Sequence, residues 1–342
     1  MKTYEIIIKP ISGFGTPLKG DTLFGHICWQ AAYDETLLGM GIAQLLSDYA
    51  TNPFLIVSSA FPKIDDSYAL KRPDMPLEML FDFSGNNKAD IIAKRKELKD
   101  RRWMMVKNQS KLQSIKSNDL YLSDEELFGK LSIYKDAETQ RQMRKKGIKS
   151  FVADYTQPHN TINRLTGTTG EGQFAPYSVN QKVFIRDCEL VIFTGLRDDI
   201  MIDSIIKALK QIGATGLGKD ASTGLGRFEV SGHKEIDLCF LGSENPNACY
   251  TLSPCMPEKD TFSKMFFTPF VRFGRHGDVM AKSGKPFKNP VIMADEGAVF
   301  MPLSSKLPNK KYIGTAISGV SKAQPEAVAQ GYSLFIPVKV EA

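Results

Sequence analysis

The run Gly213-Ala-Thr-Gly-Leu-Gly-Lys-Asp-Ala-Ser-Thr-Gly-Leu-Gly gathers residues without a Cβ around one lysine and one serine. Gly216, Gly218 and Gly224 let backbone amides approach phosphates or base edges, and Lys219 and Ser222 add a charge and a hydroxyl. Read from Gly213, the run nearly spells the phosphate-cradling GxxxxGK[ST] loop, but Asp220 stands where a hydroxyl must bind Mg²⁺. Read from Gly216, it spells GxGxx[G/A]. Both cradles lead from a strand into a helix N-terminus, whose free amides hold the phosphate. Here helical periodicity precedes the glycines and a strand signal follows them. The context therefore argues against a nucleotide cradle and leaves an RNA backbone contact or a plain helix-to-strand connection.

Three other groups carry chemistry. His26 lies one helical turn beyond Thr22 on a helix that follows a glycine-rich turn. An imidazole there can contact RNA, pack in the core or, without a metal, deprotonate a 2′-OH. No serine, tyrosine or second histidine stands at partnering distance in sequence. Lys19 and Thr22 flank the same helix N-terminus, a natural phosphate seat. Asn160, Asn163, Arg164, Thr166 and Thr168 place amides, a guanidinium and hydroxyls within nine residues, groups able to read splayed single-stranded bases or to cap a surface turn. Arg272, Arg275, His276, Lys282, Lys285 and Lys288 interleave with Phe273 and Phe287, which suits a groove where bases stack on rings. Phe287 suits a protein anchor equally well.

The elements that must position these groups are legible from periodicity. A β-branched run over 3–9 ends at Pro10. Gly13, Gly15, Pro17 and Gly20 make a turn, and Leu23, Phe24, Ile27, Cys28 and Ala31 then recur at helical spacing from an N-cap at Asp21 or Thr22. A further helix over 36–49 and a strand from Phe54 complete a β-α-β unit. The same order returns with a strand over 183–193, a helix over 202–212 stopped by Gly213, and a strand from Arg227. Two β-α-β units separated by an insertion at about 63–181 predict a ferredoxin-like fold over 1–235. The insertion opens with a charged helix over 90–105, whose Lys94, Lys96, Arg101, Arg102 and Trp103 face either solvent or nucleic-acid phosphates. Residues 236–342 predict a second, smaller α+β domain.

The 342 residues carry 44 Lys plus Arg against 38 Asp plus Glu, a net charge of +6. Positions 86–149 hold 17 basic and 9 acidic residues, a net of +8, so the remainder sums to −2. The cationic excess thus sits in one stretch, of a sign that favours anionic partners. Five cysteines without a CxxC pair argue against a disulfide framework or a zinc module. No apolar run reaches the roughly 18 residues of a membrane span. The expectation is a cytoplasmic protein with no cofactor, no metal and no membrane partner.

The glycine loop between the last helix and last strand of a ferredoxin-like unit resembles the RAMP superfamily of CRISPR-associated RNA-binding proteins. Three further stretches resemble subunit four of type III-A (Csm) interference complexes: Pro17-Leu-Lys-Gly-Asp-Thr-Leu-Phe-Gly-His, Pro158-His-Asn-Thr-Ile-Asn-Arg-Leu-Thr-Gly-Thr-Thr-Gly-Glu-Gly-Gln-Phe-Ala-Pro-Tyr, and Arg272-Phe-Gly-Arg-His-Gly-Asp with Lys285-Pro-Phe-Lys-Asn-Pro-Val. The resemblance implies two ferredoxin-like domains, a protruding thumb, and a non-enzymatic role holding the repeat-derived 5′ tag of the crRNA, with target RNA nearby. It also implies docking to the large polymerase-like subunit and to the neighbouring RAMP backbone subunit. Some RAMP endoribonucleases carry a catalytic histidine where His26 lies. No motif extends the resemblance to 86–149.

Overall fold

The computed structural model describes residues 1–83, 88–108, 110–133, 136–304 and 307–341; positions 86 and 87, the start of the basic segment, lie outside the described residues. The apolar opening forms β1 (Lys2–Pro10), followed by α1 (Gly20–Tyr33), α2 (Ile42–Ser47) and β2 (Leu55–Ile64). The second unit contributes β8 (Glu189–Leu196), α7 (Ile202–Thr215) and β9 (Phe228–Glu235). Between them lie β3 (Ser67–Lys71), α3 (Leu77–Leu80), α4 (Lys88–Asp100), β4 (Arg101–Lys107), β5 (Tyr121–Ser123), α5 (Asp124–Ile133), α6 (Ala137–Lys145), β6 (Val152–His159) and β7 (Tyr177–Phe184).

The first sheet has the order β5-β4-β3-β2-β8-β1-β9. Its part β2-β8-β1-β9, with α1 and α7 packed on each other and on the strands, is the predicted ferredoxin-like unit. Helix α1 starts earlier than expected, with Lys19 at the N-cap and Gly20 already helical. Gly20 is required there because a Cβ would collide with the Val57 carbonyl. The expected strand over 183–193 is two strands, β7 and β8, separated at Asp187, whose φ of 56° turns the chain. The helix expected over 90–105 stops at Asp100. Arg101 to Lys107 instead form β4, whose Trp103 to Lys107 pair with β3, because Met104 and Val106 alternate into the core as a strand requires. Periodicity over a short apolar run does not separate these outcomes.

The second half contains β10 (Ala248–Thr251), β11 (Phe262–Phe266), β12 (Pro269–Arg272), β13 (Val291–Ala294), β14 (Val299–Pro302), β15 (Tyr312–Gly314) and β16 (Tyr332–Val338). Its sheet order, β11-β14-β10-β16-β15, repeats the ferredoxin strand order, yet no α-helix follows Thr215 among the described residues. The chain as a whole is α+β, and among the described residues its α-helices all belong to the first half. In each half the excursion leaves from the same connection, between the second and third strands of the unit: β6–β7 in the first and β12–β13 in the second.

The halves share one apolar core. Ile6, Ile8, Phe54 and Val57 join Tyr250, Leu334 and Ile336 in it. A bulge in β2 between Val57 and Ala60 frees backbone groups for the other half. Ser59 N donates to Leu252 O at 2.8 Å, and the fully buried Gln330 brackets Val57 with bonds of 2.8 and 2.7 Å.

Candidate nucleic-acid interface

Helix α7 ends where Gly216 N donates to Ile212 O at 2.7 Å, and the glycine loop then interlocks with the turn after β1. Gly226 N donates to Gly13 O at 2.8 Å, Lys219 N to Thr16 Oγ1 at 2.9 Å and Arg227 N to Ser12 Oγ at 2.9 Å. Gly216, Gly218, Gly224 and Gly226 all have positive φ. A Cβ on Gly216 would strike Leu225 O, one on Gly226 would strike Leu217 O, and one on Gly218 would lie 2.5 Å from Thr16 Cβ. Gly216 and Gly218 therefore serve the loop's own packing, where the sequence pattern led us to expect open approach to RNA. Gly224 alone of the four meets nothing within 4 Å.

The interlocked loops present exposed Lys219, Ser222 and Arg227. Lys219 has a loose contact with Asp220 at 3.8 Å. They stand at the foot of the β6–β7 arm, where Phe14 and Lys182 exchange both backbone hydrogen bonds at 2.9 Å. Buried Gln181 lies beside Gly13 and donates to Gln157 Oε1 at 2.9 Å. Nothing in the sequence singles out the exposed Lys182 and Arg227. Both sit inside strand-like runs, and only the return of the arm onto the glycine loops brings them together.

The arm tip, residues 160–176, carries the asparagine-rich group. Asn163 spends its carbonyl oxygen on Leu165 N at 2.9 Å, and Thr166 and Thr168 pair their hydroxyls at 3.0 Å. Those three residues build the turn. Asn160 and Arg164 are exposed there, and Leu165 is 96% exposed. His159 stacks on Tyr177 at 5.3 Å along the shaft.

The groups near α1 are tied differently from the sequence expectation. Lys19 directs its ammonium to Asp295 at 2.5 Å and Glu296 at 2.7 Å, so it joins the two halves and does not stand open to a phosphate. Arg272 grips Asp21 with two bonds of 2.5 and 2.7 Å and lies over the Phe270 ring. With Asp21, a carboxylate already occupies the first turn beside Thr22, which weakens the helix N-terminus as an anion seat. His276 is buried and shares a 2.7 Å hydrogen bond with Ser321 Oγ, and burial, with the nearby Lys288 charge, lowers its pKa. Burial likewise lowers the pKa of half-buried Lys288 and of His26. The His26 ring has no hydrogen-bond partner among the described residues. Arg275 lies over the Phe287 ring at 5.6 Å, and Lys285 and Phe273 are exposed. The structure thus gathers Lys219, Ser222, Lys182 and Arg227 in one place, leaves Arg164 at the arm tip, and sets Arg275 and Lys285 on the second excursion.

In the basic segment, Arg101 is held by the Asn118 and Tyr121 carbonyls at 3.0 and 3.2 Å and by Glu126 at 3.3 Å. Trp103 Nε1 donates to Asp124 at 2.7 Å. Both are framework groups of the sheet edge, while Lys96 and Arg102 are exposed.

No family model matches the sequence, and no curated protein matches it. Solved structures do. The chain superposes on Csm4 from a Csm3–Csm4 subcomplex of a type III-A CRISPR-Cas interference complex with a TM-score of 0.54 at 14% identity, covering 99% of this chain and 100% of that one. Two Csm1–Csm4 cassettes, in complex with AMPPNP and with pppApA, give TM-scores of 0.54 and 0.53 at 16% identity, covering 99% of this chain and 98% of each match. The shared fold is one of two linked ferredoxin-ordered sheets. More narrowly, it is the fold of Csm4 along its whole length.

Proposed function

We propose that the chain is an RNA-binding subunit of a type III-A CRISPR effector complex that holds the repeat-derived 5′ tag of the crRNA. In this reading it contacts the large polymerase-like subunit and the neighbouring RAMP backbone subunit, lies near target RNA, and catalyses no reaction. The observation that carries the reading is the gathering of Lys219, Ser222, Lys182 and Arg227 where the interlocked glycine loops meet the foot of an exposed arm. Such a patch suits phosphates, and the arm tip with Arg164 suits a splayed base.

Removing one phosphate contact to a single strand flattens the dependence of log K on log salt by about 0.7. Lys219→Ala with Arg227→Ala should therefore weaken binding of tag RNA and flatten that slope by about 1.4. An unchanged affinity and slope would remove the patch from the RNA site. Arg164→Ala should instead lower discrimination between correct and scrambled tag by roughly 1–3 kcal/mol in a competition titration at fixed salt. Equal discrimination by variant and wild type would take Arg164 out of recognition. Incubation with repeat RNA in EDTA should yield no His26-dependent product, since His26 lacks an orienting partner among the described residues. Co-purification with the large and backbone subunits tests the assembly role.

A further inference from the structure

The second half repeats the strand order of the first without α-helices among the described residues, so loops and the β12–β13 hairpin, through Ala294, cover the outer face of its sheet. Along β16, Leu334, Ile336 and Val338 enter the core shared with the first half. Phe335, on the opposite face, joins a small separate core with Cys249 and Phe300. Toward the end of β16 that cover is incomplete, and a cavity of about 630 Å³ opens between the linker 237–246 and the segment 307–311. Leu238, Leu307, Phe335 and Pro337 form its apolar lining. Lys111, Lys310 and Lys311 face Asp237 and Glu244 around it.

The ion pairs around it are long, although Asp237 also accepts from Cys239 N at 3.1 Å. Lys111 and Glu244 stand 4.0 Å apart and Lys311 and Asp237 3.9 Å apart, all well exposed. Lys310 lies over the Tyr312 ring at 5.5 Å and has no carboxylate among the described residues. Ser243, which also lines the cavity, is 6% exposed, and its Oγ has no hydrogen-bond partner among the described residues. In the turn that supplies Leu238, Phe240 is 65% exposed.

We propose that this cavity is a docking site for a short acidic peptide segment of a partner protein, carrying one aromatic or large aliphatic anchor side chain. The volume lies within the roughly 300–1,000 Å³ of ligand sites, and a concave apolar lining is what an anchor residue fills. Three lysines against two carboxylates leave a net positive charge that complements acidic residues flanking the anchor. The orphan Ser243 hydroxyl supplies one directional hydrogen bond. Nucleic acid fits poorly, because Phe335 is the only aromatic ring in the lining, no arginine is present there, and the two carboxylates repel phosphodiesters. The site also stands apart from the glycine loops. β9 runs from Phe228, beside those loops, to Glu235, beside the linker, and its 8 residues span about 25 Å at about 3.3 Å each. The proposal therefore does not depend on the RNA reading.

Cys239 lines the cavity with an exposed thiol, whereas Cys188, Cys249 and Cys255 are buried and burial raises the half-buried Cys28 to about 12. A trifluoromethyl label on Cys239 of the full chain then reports occupancy by ¹⁹F NMR. Titration with Ac-Glu-Glu-Phe-Glu-NH₂ should give a saturable shift. Binding should weaken at least tenfold in the surface variant Lys310→Glu with Lys311→Glu, severalfold in Ser243→Ala, and at least tenfold when the peptide's Phe is replaced by Ala. Ac-Lys-Lys-Phe-Lys-NH₂ should not saturate. The proposal is overturned if the acidic peptide fails to saturate, if the basic peptide binds equally, or if adenosine monophosphate binds in preference to both.

Discussion

Gly226→Ala should lower the melting temperature by about 3–7 °C, whereas Gly224→Ala, at the neighbouring glycine of the same loop, should cost only about 1–3 °C. Both glycines have positive φ, 76° and 99°, a backbone state that costs alanine about 1–2 kcal/mol. Only at Gly226 does the new Cβ also collide with backbone, at Leu217 O, which adds about 1–3 kcal/mol of overpacking. The expected difference follows from the interlock, since Gly226 also donates to Gly13 O at 2.8 Å and so locks the second glycine loop to the first. Thermal melts of the two variants in parallel check it. Equal melting temperatures would mean that the loops yield freely and that the glycines are there for something other than self-packing. RNA affinity measured on the folded fraction of Gly224→Ala then reports on the open side of the loop alone.

Lys19→Met should destabilise the chain by about 3–5 kcal/mol at neutral pH, the usual consequence of stripping one partner from a buried ionic cluster. Lys19 bridges Asp295 and Glu296, Lys71 reaches Asp295 at 3.2 Å and Asp74 at 3.1 Å, and Ser59 Oγ donates to Glu296 at 3.2 Å. Burial works against the charged form of Asp295, but Lys19, a hydrogen bond with Glu296 and Lys71 outweigh it and hold its carboxyl below the ordinary range. Burial raises Glu296, and the neighbouring Asp295 adds to that while Lys19 only partly offsets it. The signs are opposite. The Asp295 contribution is present above the unfolded-state pKa and fades as pH falls through the depressed folded value. The Glu296 contribution is present below its unfolded-state pKa and fades as pH rises through the raised folded value. Without Lys19 both carboxylates take up protons more readily, so the gap in melting temperature between wild type and Lys19→Met should narrow as pH falls from 7.5 toward 5. A gap that is constant with pH would show that Lys19 acts through its packed methylenes and Phe270, over which its ammonium sits at 4.6 Å, and not through charge.

The order β-α-β, excursion, β-α-β was legible because it is local information. Ile6 to Ile8 and the spacing Leu23, Phe24, Ile27, Ala31 each report the burial pattern of one element, whereas the expected stop at Gly213 fell inside α7, which runs to Thr215 because Gly213 packs against the Phe228 carbonyl and Gly216 makes the cap. The glycine loop was legible for the same reason, as was the exposed polar turn that carries Arg164. Strand or helix at 101–107, and one strand or two across 183–193, were not legible, since short apolar runs satisfy either period until a partner strand is chosen. The second half shows the same limit: its strand order repeats the first, but whether helices or loops cover the sheet depends on what packs against it.

Residue type determined which side chains could meet an anion, and tertiary structure alone decided which remain free to do so. Lys19 and Arg272 look as available in the sequence as Lys219 and Arg227. The carboxylates that claim them stand 276 and 251 positions away, and no spacing rule reaches that far. A charge is open or spent according to what the fold brings within about 4 Å of it, because Coulomb attraction and hydrogen bonding are decided at contact distance while sequence patterns report only neighbours along the chain.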